Sequence, residues 1–228
     1  MEEINGWLNV NKPVGWRSTK VVAIVKRITG AKKVGHGGTL DPFASGVLPI
    51  CINKATKQVE MIMDHKKQYI FQLTFGEMRD TYDIEGQVIE KNNFIPQETE
   101  IKNIIQNFIG EIQQKPPMFS ALKVNGRRAY DLARKGEQIE LKTRTVLIEN
   151  IKYNGFIDKN TVEFVIDCGR GCYIRSLAVD IAKSLGAVGY VSKLTRTKVG
   201  ELEIKDSLND IQNISMEQIL TRVVKIYL

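Results

Sequence analysis

The fifteen-residue stretch from Gly35 to Pro49 constrains the fold more than any other part of the chain. It reads GHGGTLDPFASGVLP and contains four glycines and two prolines. Glycine at this density is unsuited to a helix interior, and two prolines are unsuited to a central strand. Gly35, Gly37 and Gly38 allow positive φ or the close approach of another backbone. We therefore predict a loop that is held at several points of its backbone.

The side chains of this loop that can do chemistry are those of Asp41 and His36. Pro42 disfavours the α region for the residue before it, so the Asp41 carboxylate should leave an extended or turn backbone. A carboxylate with an imidazole is enough for nucleophilic or acid–base chemistry. The alternative is a structural turn in which Asp41 caps other groups, because Asp before Pro is common in turns. The residue types alone leave both interpretations open.

The composition indicates a globular protein without a membrane span. No apolar run approaches the roughly eighteen residues that a spanning helix needs. The first residues, MEEINGWLNV, lack the basic and apolar regions of a secretory signal. The cysteines Cys51, Cys168 and Cys172 are odd in number and form no CxxC pair, which argues against a disulfide framework or a zinc site. We predict a cytoplasmic protein with reduced thiols.

The positive charge is concentrated in one segment. The whole chain has a net charge of +7, which suits a polyanionic partner. Residues 115–135 contain one acid and six basic residues and so carry a net charge of +5. The basic residues are Lys115, Lys123, Arg127, Arg128, Arg134 and Lys135. Phe119 and Tyr130 lie between them, a mixture that fits a nucleic-acid contact surface, although a solvated basic face is the alternative.

The order of predicted elements indicates the fold class. Strands are predicted over residues 7–12, 47–52, 69–75, 145–153 and 161–167. Helices are predicted from Ser18 or Thr19 to Gly30, from Thr99 to Gly110, after Gly171, and after a capping box of Ser215 and Gln218. Hairpins and helices without βα alternation or repeats predict an α+β fold in one domain, residues 1–228.

The glycine-rich stretch, followed by KATK at residues 54–57, resembles the catalytic loop of the TruB family of tRNA pseudouridine synthases. The resemblance implies that Asp41 is the catalytic aspartate and that His36 lies against the RNA near the target. Gly37 departs from the family, which more often has a small non-glycine residue there, and should make the loop more flexible. The resemblance also implies that Lys12 supports the floor of the active site, whereas the residues alone fit an exposed turn lysine equally well.

The segment from Lys66 through FGEMRDTYDIEG resembles the second motif of this family. The resemblance implies that Tyr69 stacks on the flipped base and that Asp80 helps to hold the site. From the pattern alone, Tyr69 is a half-buried aromatic residue of a strand. Arg79 replaces a small hydroxyl residue, and both a phosphate contact and simple tolerance remain open. No further ligand cluster follows the DTYD sequence, so no metal site is predicted.

The turn CGRGCYIRS at residues 168–176 resembles the third motif of the family. There Arg175 would pair with the catalytic aspartate, orient its carboxylate and keep it ionised, and Tyr173 would line the base pocket. The alternative for Arg175 is a surface position at a helix start, where the helix dipole disfavours a cation. LTRTKVG, which begins at Leu194, resembles the LxRTxxG ending and implies that Leu194 packs against the target base; otherwise it is a core leucine.

Residues 113–140 resemble the thumb insertion of the family, and we call this segment the thumb. Its implied role is to bind RNA phosphates, chiefly through Lys123, Arg127, Arg128 and Arg134. A hairpin turn is predicted at residues 125–126 and a short helix over residues 129–134. The resemblance covers the catalytic part of the family, so no C-terminal PUA domain is expected. It implies the pseudouridine synthase fold, a mixed and largely antiparallel sheet with flanking helices and a central cleft.

The implied activity is isomerisation of uridine to pseudouridine in the T-loop of tRNA. The base must leave its stack, so Tyr69, Tyr173 and Leu194 would form its pocket while His36 fills the vacated space. Because the isomerisation conserves atoms and electrons, no cofactor and no metal are expected. We expect a monomer whose partner is the tRNA T-arm, with no membrane contact. The alternative is a non-catalytic tRNA-binding or folding protein, which would not require Asp41, Tyr69 and Arg175 together.

Overall fold

The computed structural model describes residues 4–120, 122–124, 127–128 and 141–225. Its chain divides into two compact units. The first unit comprises residues 1–69 and 194–228, and the second comprises residues 70–193. No helix in the described ranges is long and apolar enough to cross a membrane.

The strands and helices follow in chain order. The strands are β1 (Gly6–Lys12), β2 (Val34–His36), β3 (Ser45–Ile52), β4 (Lys67–Phe75), β5 (Glu77–Arg79), β6 (Val88–Lys91), β7 (Gly110–Gln114), β8 (Lys123–Val124), β9 (Arg127–Arg128), β10 (Arg144–Phe156), β11 (Thr161–Cys168), β12 (Gly189–Val199), β13 (Leu202–Glu203) and β14 (Val224–Lys225). The α-helices are α1 (Ser18–Thr29), α2 (Val59–Asp64), α3 (Glu98–Ile104), α4 (Ile174–Ser184) and α5 (Met216–Arg222).

The first unit is built on the strand order β14-β1-β3-β12, with β2 also paired to β3 and β13 to β12. β3 and β12 run parallel, and the other pairs are antiparallel. Apolar side chains of β1, β3, α2 and β12 form a buried cluster with Ala55. α1 buries Val21 and Val25 and ends at Gly30, whose φ of 61° provides the left-handed cap. The segment that carries Asp41 therefore connects two paired strands of this unit, β2 and β3.

The second unit has the strand order β12-β4-β11-β10-β7, because β4 and β12 continue into it from the first unit. Alternate residues of β4 are buried as predicted, and Phe71 stacks on Phe164 with ring centroids 5.1 Å apart. α4 buries Leu177 and Ile181 completely. The mixed, largely antiparallel strands with a few helices confirm the predicted α+β class.

Several local predictions differ from the structure in informative ways. The ends of the glycine-rich stretch are strands, so the loop is confined to residues 37–44. Ser18 does not cap α1, because its hydroxyl bonds to the backbone of Leu40 instead. The helix predicted from Thr99 begins at Glu98 and tightens into a 3-10 helix at Ile105–Phe108. β8 and β9 pair around residues 125–126, as a hairpin requires, whereas the helix predicted at 129–134 lies outside the described residues.

Candidate active site

Backbone hydrogen bonds hold the Asp41 loop at its two ends and in its middle. The Gly37 N–H donates to the carbonyl of Pro49 at 2.8 Å, and the Gly15 N–H donates to that of Pro42 at 2.7 Å. The Ala44 N–H donates to the Asp41 carbonyl at 3.1 Å and closes a turn around the aspartate. Asp41 itself is half-buried. The prediction of a loop held at several backbone positions is thus correct for residues 37–44.

The first residue of α1 also holds this loop. The Ser18 hydroxyl donates to the Leu40 carbonyl and accepts from the Leu40 N–H, both at 3.0 Å. Both residues are buried, so water cannot replace these bonds without cost. The residue before Asp41 is therefore fixed in both of its backbone polar groups.

Lys12 lies directly beneath the loop. Its side chain is fully buried, and its ammonium donates to the carbonyls of Trp16 at 2.7 Å, Pro13 at 2.9 Å and Pro42 at 3.3 Å. Carbonyl oxygens partly replace the water that a buried cation loses. The alternative of an exposed turn lysine is wrong, and the contact with Pro42 places Lys12 beside the residue that follows Asp41.

Arg196 of β12 holds both ends of the loop, a role that the sequence analysis missed. The guanidinium is 2% exposed, and its Nε donates to the Val47 carbonyl at 2.7 Å while Nη2 donates to the Gly38 carbonyl at 3.0 Å. One planar group thus joins the residue at the start of the loop to the strand that leaves it. The only sequence signal is its place in LTRTKVG, two residues after Leu194.

Gly46 allows the close contact between β3 and β12. Its φ is 109°, and a Cβ atom at this position would lie 2.1 Å from the Arg196 carbonyl oxygen. Gly46 is paired with Arg196 where the two strands run parallel. A side chain here would therefore force apart the strands that support the Asp41 loop.

The space beside Gly37, the residue that departs from the family pattern, is occupied by a neighbouring side chain. A Cβ atom at Gly37 would lie 2.8 Å from Cγ2 of Ile62, in α2. Ile62 belongs to the buried cluster of the first unit. The space that a small side chain would take at Gly37 is therefore occupied by the isoleucine.

The remaining predicted site residues of the first unit differ in burial. Tyr69 is 9% exposed and Leu194 is 5% exposed, whereas His36 is half-buried at the end of β2. Tyr69 lies on the buried face of β4, as its alternation predicts. The roles of these three residues toward a base stay predictions.

In the second unit, Arg175 is buried in a polar network. Its guanidinium donates to the carbonyls of Thr81 and Phe119, both at 2.8 Å, and its Nη1 lies 3.3 Å from Oδ2 of Asp83. Arg175 and Asp83 are each 3% exposed. The alternative of a surface arginine is therefore wrong. A buried guanidinium held by a carboxylate and two carbonyls has a fixed orientation.

The two aspartates of the DTYD sequence have different positions. Asp80 accepts the Gln87 N–H at 2.8 Å in the connection between β5 and β6. Asp83 contacts Arg175 and accepts the Thr81 hydroxyl at 2.6 Å. Tyr82, the residue before Asp83, has a φ of 63°, and this left-handed turn directs the second aspartate inward. The resemblance implied a role for Asp80, which stays a prediction, whereas the contact of Asp83 with Arg175 was not predicted although both carboxylates are visible in the motif.

Tyr82 itself is a half-buried titratable group in this turn. Burial raises the pKa of its hydroxyl, and the charge of Asp180 raises it further. Burial also raises the pKa of the Asp180 carboxyl, against a smaller opposing effect of Lys183.

Arg79 stabilises the connection between β5 and β6. Its Nη1 donates to the carbonyls of Ile84 at 3.0 Å and Gly86 at 3.2 Å, and its Nη2 lies 3.2 Å from the Glu77 carboxylate. Its guanidinium also stacks 4.5 Å above the Tyr190 ring. This arginine is therefore used to brace the β5–β6 connection, a role that neither of the sequence alternatives included.

Tyr173 is held by its backbone and its ring. Its N–H donates to Oε1 of Gln114 at 2.7 Å, and Nε2 of Gln114 donates back to the Tyr173 carbonyl at 3.0 Å. The guanidinium of Arg144 lies 4.7 Å from the centre of the Tyr173 ring. Neither Gln114 nor Arg144 was singled out from the sequence.

The predicted RNA-binding residues of the thumb are only partly described. Arg127 in β9 is exposed, and Lys123 is paired with Arg128 across β8 and β9. Arg134 lies outside the described residues. Among the described residues no group of histidine, cysteine and acidic side chains could hold a metal ion.

Comparison with known proteins identifies the family. Residues 26–174, which contain the Asp41 loop and the Asp83 turn, match the sequence profile of TruB family pseudouridylate synthase (N terminal domain). The tRNA pseudouridine synthase B of Rickettsia bellii is 48% identical over 218 residues, 93% of this chain and 74% of that protein. That of Ehrlichia ruminantium is 47% identical over 204 residues, 89% of this chain and 69% of that protein.

The solved structures confirm the predicted pseudouridine synthase fold. A chain in the crystal structure of a Cbf5–Nop10–Gar1 complex superposes with a TM-score of 0.68 at 32% identity. The match covers 90% of this chain, which spans about half the length of the other, 52%. On the sequence profile, the close relatives and this superposition, the chain belongs to the TruB family of pseudouridylate synthases.

Proposed function

We propose that this chain isomerises uridine to pseudouridine in the T-loop of tRNA. The observation that carries the proposal is the 48% identity over 93% of the chain with a tRNA pseudouridine synthase B. The Asp41 loop falls within the matched family segment and is held by buried side chains of three other elements. A half-buried carboxylate on such a loop is suited to repeated, precisely placed contact with a substrate.

Asp41 initiates the reaction at the target nucleotide. The glycosidic bond between C1′ and N1 breaks, the uracil turns, and a bond forms between C1′ and C5. C5 then loses its proton, and N1 ends with one, so that atoms and electrons balance without a redox partner. Arg175, whose guanidinium is held by Asp83 and two carbonyls, is the arginine to which the family resemblance assigns the orienting of the catalytic aspartate.

Binding of the base falls to apolar and aromatic side chains. Tyr69 stacks on the flipped uracil, and Tyr173 and Leu194 line its pocket, while His36 fills the space that the base leaves in the RNA. The burial of Tyr69 and Leu194 supports this assignment, because a pocket for a flipped base must exclude water.

The thumb binds the T-arm through its basic residues. Residues 115–135 carry a net charge of +5, and Arg127 is exposed. Affinity should therefore fall steeply with salt, since phosphate binding releases counterions. We further propose that the protein acts in the cytoplasm as a monomer, without a metal ion.

The test is site-resolved detection of pseudouridine in an unmodified tRNA transcript incubated with the protein. Product at the T-loop uridine is the expected result, and a transcript with cytidine at that position should gain none elsewhere. Tight binding of both transcripts with no product from the wild-type protein would overturn the proposal in favour of a tRNA-binding or folding protein.

A further inference from the structure

Two side chains at the base of the thumb, those of Gln114 and Arg144, contact Tyr173. Gln114 is the last residue of β7 and lies near the start of the thumb. Arg144 is the first residue of β10 and lies shortly after the end of the thumb. The two residues are paired across the antiparallel strands. The strand that leads into the thumb and the strand that follows it are thus paired at Gln114 and Arg144.

Tyr173 has one local hydrogen bond, in which its carbonyl accepts the Leu177 N–H at 3.1 Å, while its own N–H lies at the helix start, where no intrahelical acceptor is available. It precedes α4 with φ −100° and ψ 109°, and it follows the turn of Gly169 and Gly171, the second of which has a φ of 85°. Glycines permit many backbone conformations, so the turn does not by itself fix the tyrosine. The remaining restraints on its backbone N–H and its ring come from residues outside this turn.

Gln114 supplies the first of these restraints. It is fully buried, and its amide makes the two hydrogen bonds that satisfy both the N–H and the carbonyl of Tyr173. An amide can complete this pair because it carries a donor and an acceptor side by side. Glutamate and methionine, which are close in size, cannot.

Arg144 supplies the second restraint. Its guanidinium stacks on the Tyr173 ring at 4.7 Å and packs under the glycine turn, where a Cβ atom at Gly171 would lie 3.7 Å from Nη1. Nε and Nη2 are buried and have no hydrogen-bond partner in the described part of the chain. Burying two guanidinium nitrogens without hydrogen bonds costs free energy, so we infer that the planar face of this side chain has a specific role.

We propose that Gln114 and Arg144 are positioning residues that hold Tyr173 in place for the reaction. The inference rests on the proposed function, because Tyr173 is assigned there to the base pocket. Gln114 fixes the backbone of the tyrosine, and Arg144 fixes the plane of its ring. Since both residues also lie where the thumb leaves and rejoins the sheet, the RNA-binding segment and this wall of the pocket share one support.

A double-mutant cycle tests whether Arg144 acts through the Tyr173 ring. The single-turnover rate of pseudouridine formation and the Kd for tRNA are measured for wild type, Arg144→Leu, Tyr173→Leu and the double variant. Arg144→Leu should lower the rate about two- to thirty-fold, the range of a cation–π contact, with Kd changed less than about twofold. In the Tyr173→Leu background the same substitution should change the rate less than about twofold, whereas with Tyr173→Phe its full effect should persist.

Matched variants separate this role from general stability. Lys102→Leu removes another cation that lies over a tyrosine of the second unit, 5.3 Å from the Tyr153 ring, and should leave the rate unchanged. Gln114→Met should lower the rate without weakening tRNA binding, with melting temperature measured as the folding control.

Two outcomes would overturn the inference. One is an equal loss of rate from Arg144→Leu with and without the Tyr173 ring. The other is weaker tRNA binding with a smaller salt dependence at an unchanged rate, which would make Arg144 a phosphate ligand. An inactive wild-type protein would instead overturn the proposed function, so the two failures are distinguishable.

Discussion

Replacing Arg196 by lysine tests whether one guanidinium holds the Asp41 loop in place. The charge is kept, but the compact ammonium cannot donate to the Val47 and Gly38 carbonyls from the same positions as a planar guanidinium. At least one of two buried, charge-assisted hydrogen bonds is lost, and such a bond contributes about 1.5–3 kcal/mol. For a chain of this length that loss lowers Tm by roughly 3–12 °C.

The activity of Arg196→Lys should fall more than its stability suggests. The loop end at Gly38 is released three residues before Asp41, and a displacement of about 1 Å at a reacting group can cost roughly a hundredfold in rate. We expect a single-turnover rate about 10- to 100-fold below wild type at saturating tRNA, with Kd unchanged. Thermal unfolding and single-turnover assays measure the two effects.

Arg27→Lys is the matched control, because it makes the same chemical change at an exposed position of α1. It should shift Tm by less than about 1 °C, since surface substitutions usually have small effects. Wild-type Tm and wild-type rate in Arg196→Lys would refute the reasoning that the two carbonyl contacts hold the loop.

Three further predictions concern other contacts of the two units. Asp83→Asn should lower Tm and strongly reduce the rate, because it weakens a buried ion pair whose breaking costs about 3–5 kcal/mol. Asp80→Asn should reduce the rate less than Asp83→Asn. Equal effects of the two substitutions in the same assays would contradict the conclusion that Asp83 is the aspartate that holds Arg175. Gly37→Ala should destabilise by about 1–3 kcal/mol in urea unfolding through its contact with Cγ2 of Ile62, and Ile62→Leu, which removes that Cγ2 atom, should recover part of that loss. Burial raises the pKa of the Asp180 carboxyl, so its charged form opposes folding at pH values above its ordinary pKa of 3.8. Asp180→Asn should therefore raise Tm at pH 8, and this gain should disappear toward pH 4. A gain in Tm that does not depend on pH would argue against burial of the charged carboxylate as its cause.

Local patterns in the sequence predicted the elements that depend on neighbours along the chain. The alternation of Tyr69, Phe71, Leu73 and Phe75 gave the buried face of β4, and Gly30 ended α1 in a left-handed cap. These features follow from a period of two in strands and from the freedom of glycine to adopt positive φ.

Contacts between distant residues could not be predicted in this way. Arg196 reaches a carbonyl 149 residues away, and a charged side chain is expected at the surface unless its partners are known. The contact of Asp83 with Arg175 depends on the left-handed backbone at Tyr82, a conformation that a tyrosine rarely adopts and that the motif does not reveal. The glycines and prolines predicted the loop, whereas the side chains that hold it became visible only in the structure.

The most direct test of the central claim is tritium release from tRNA labelled at C5 of uridine, measured in a single turnover with wild type and Asp41→Asn. Forming the C1′–C5 bond requires the C5 proton to leave, so released tritium reports the chemical step itself. We expect release by wild type at one uridine per tRNA and a loss of at least about a thousandfold in the variant, which should still fold and bind tRNA. Release by Asp41→Asn at more than a few per cent of the wild-type rate would contradict the assignment of Asp41 as the residue that starts the reaction.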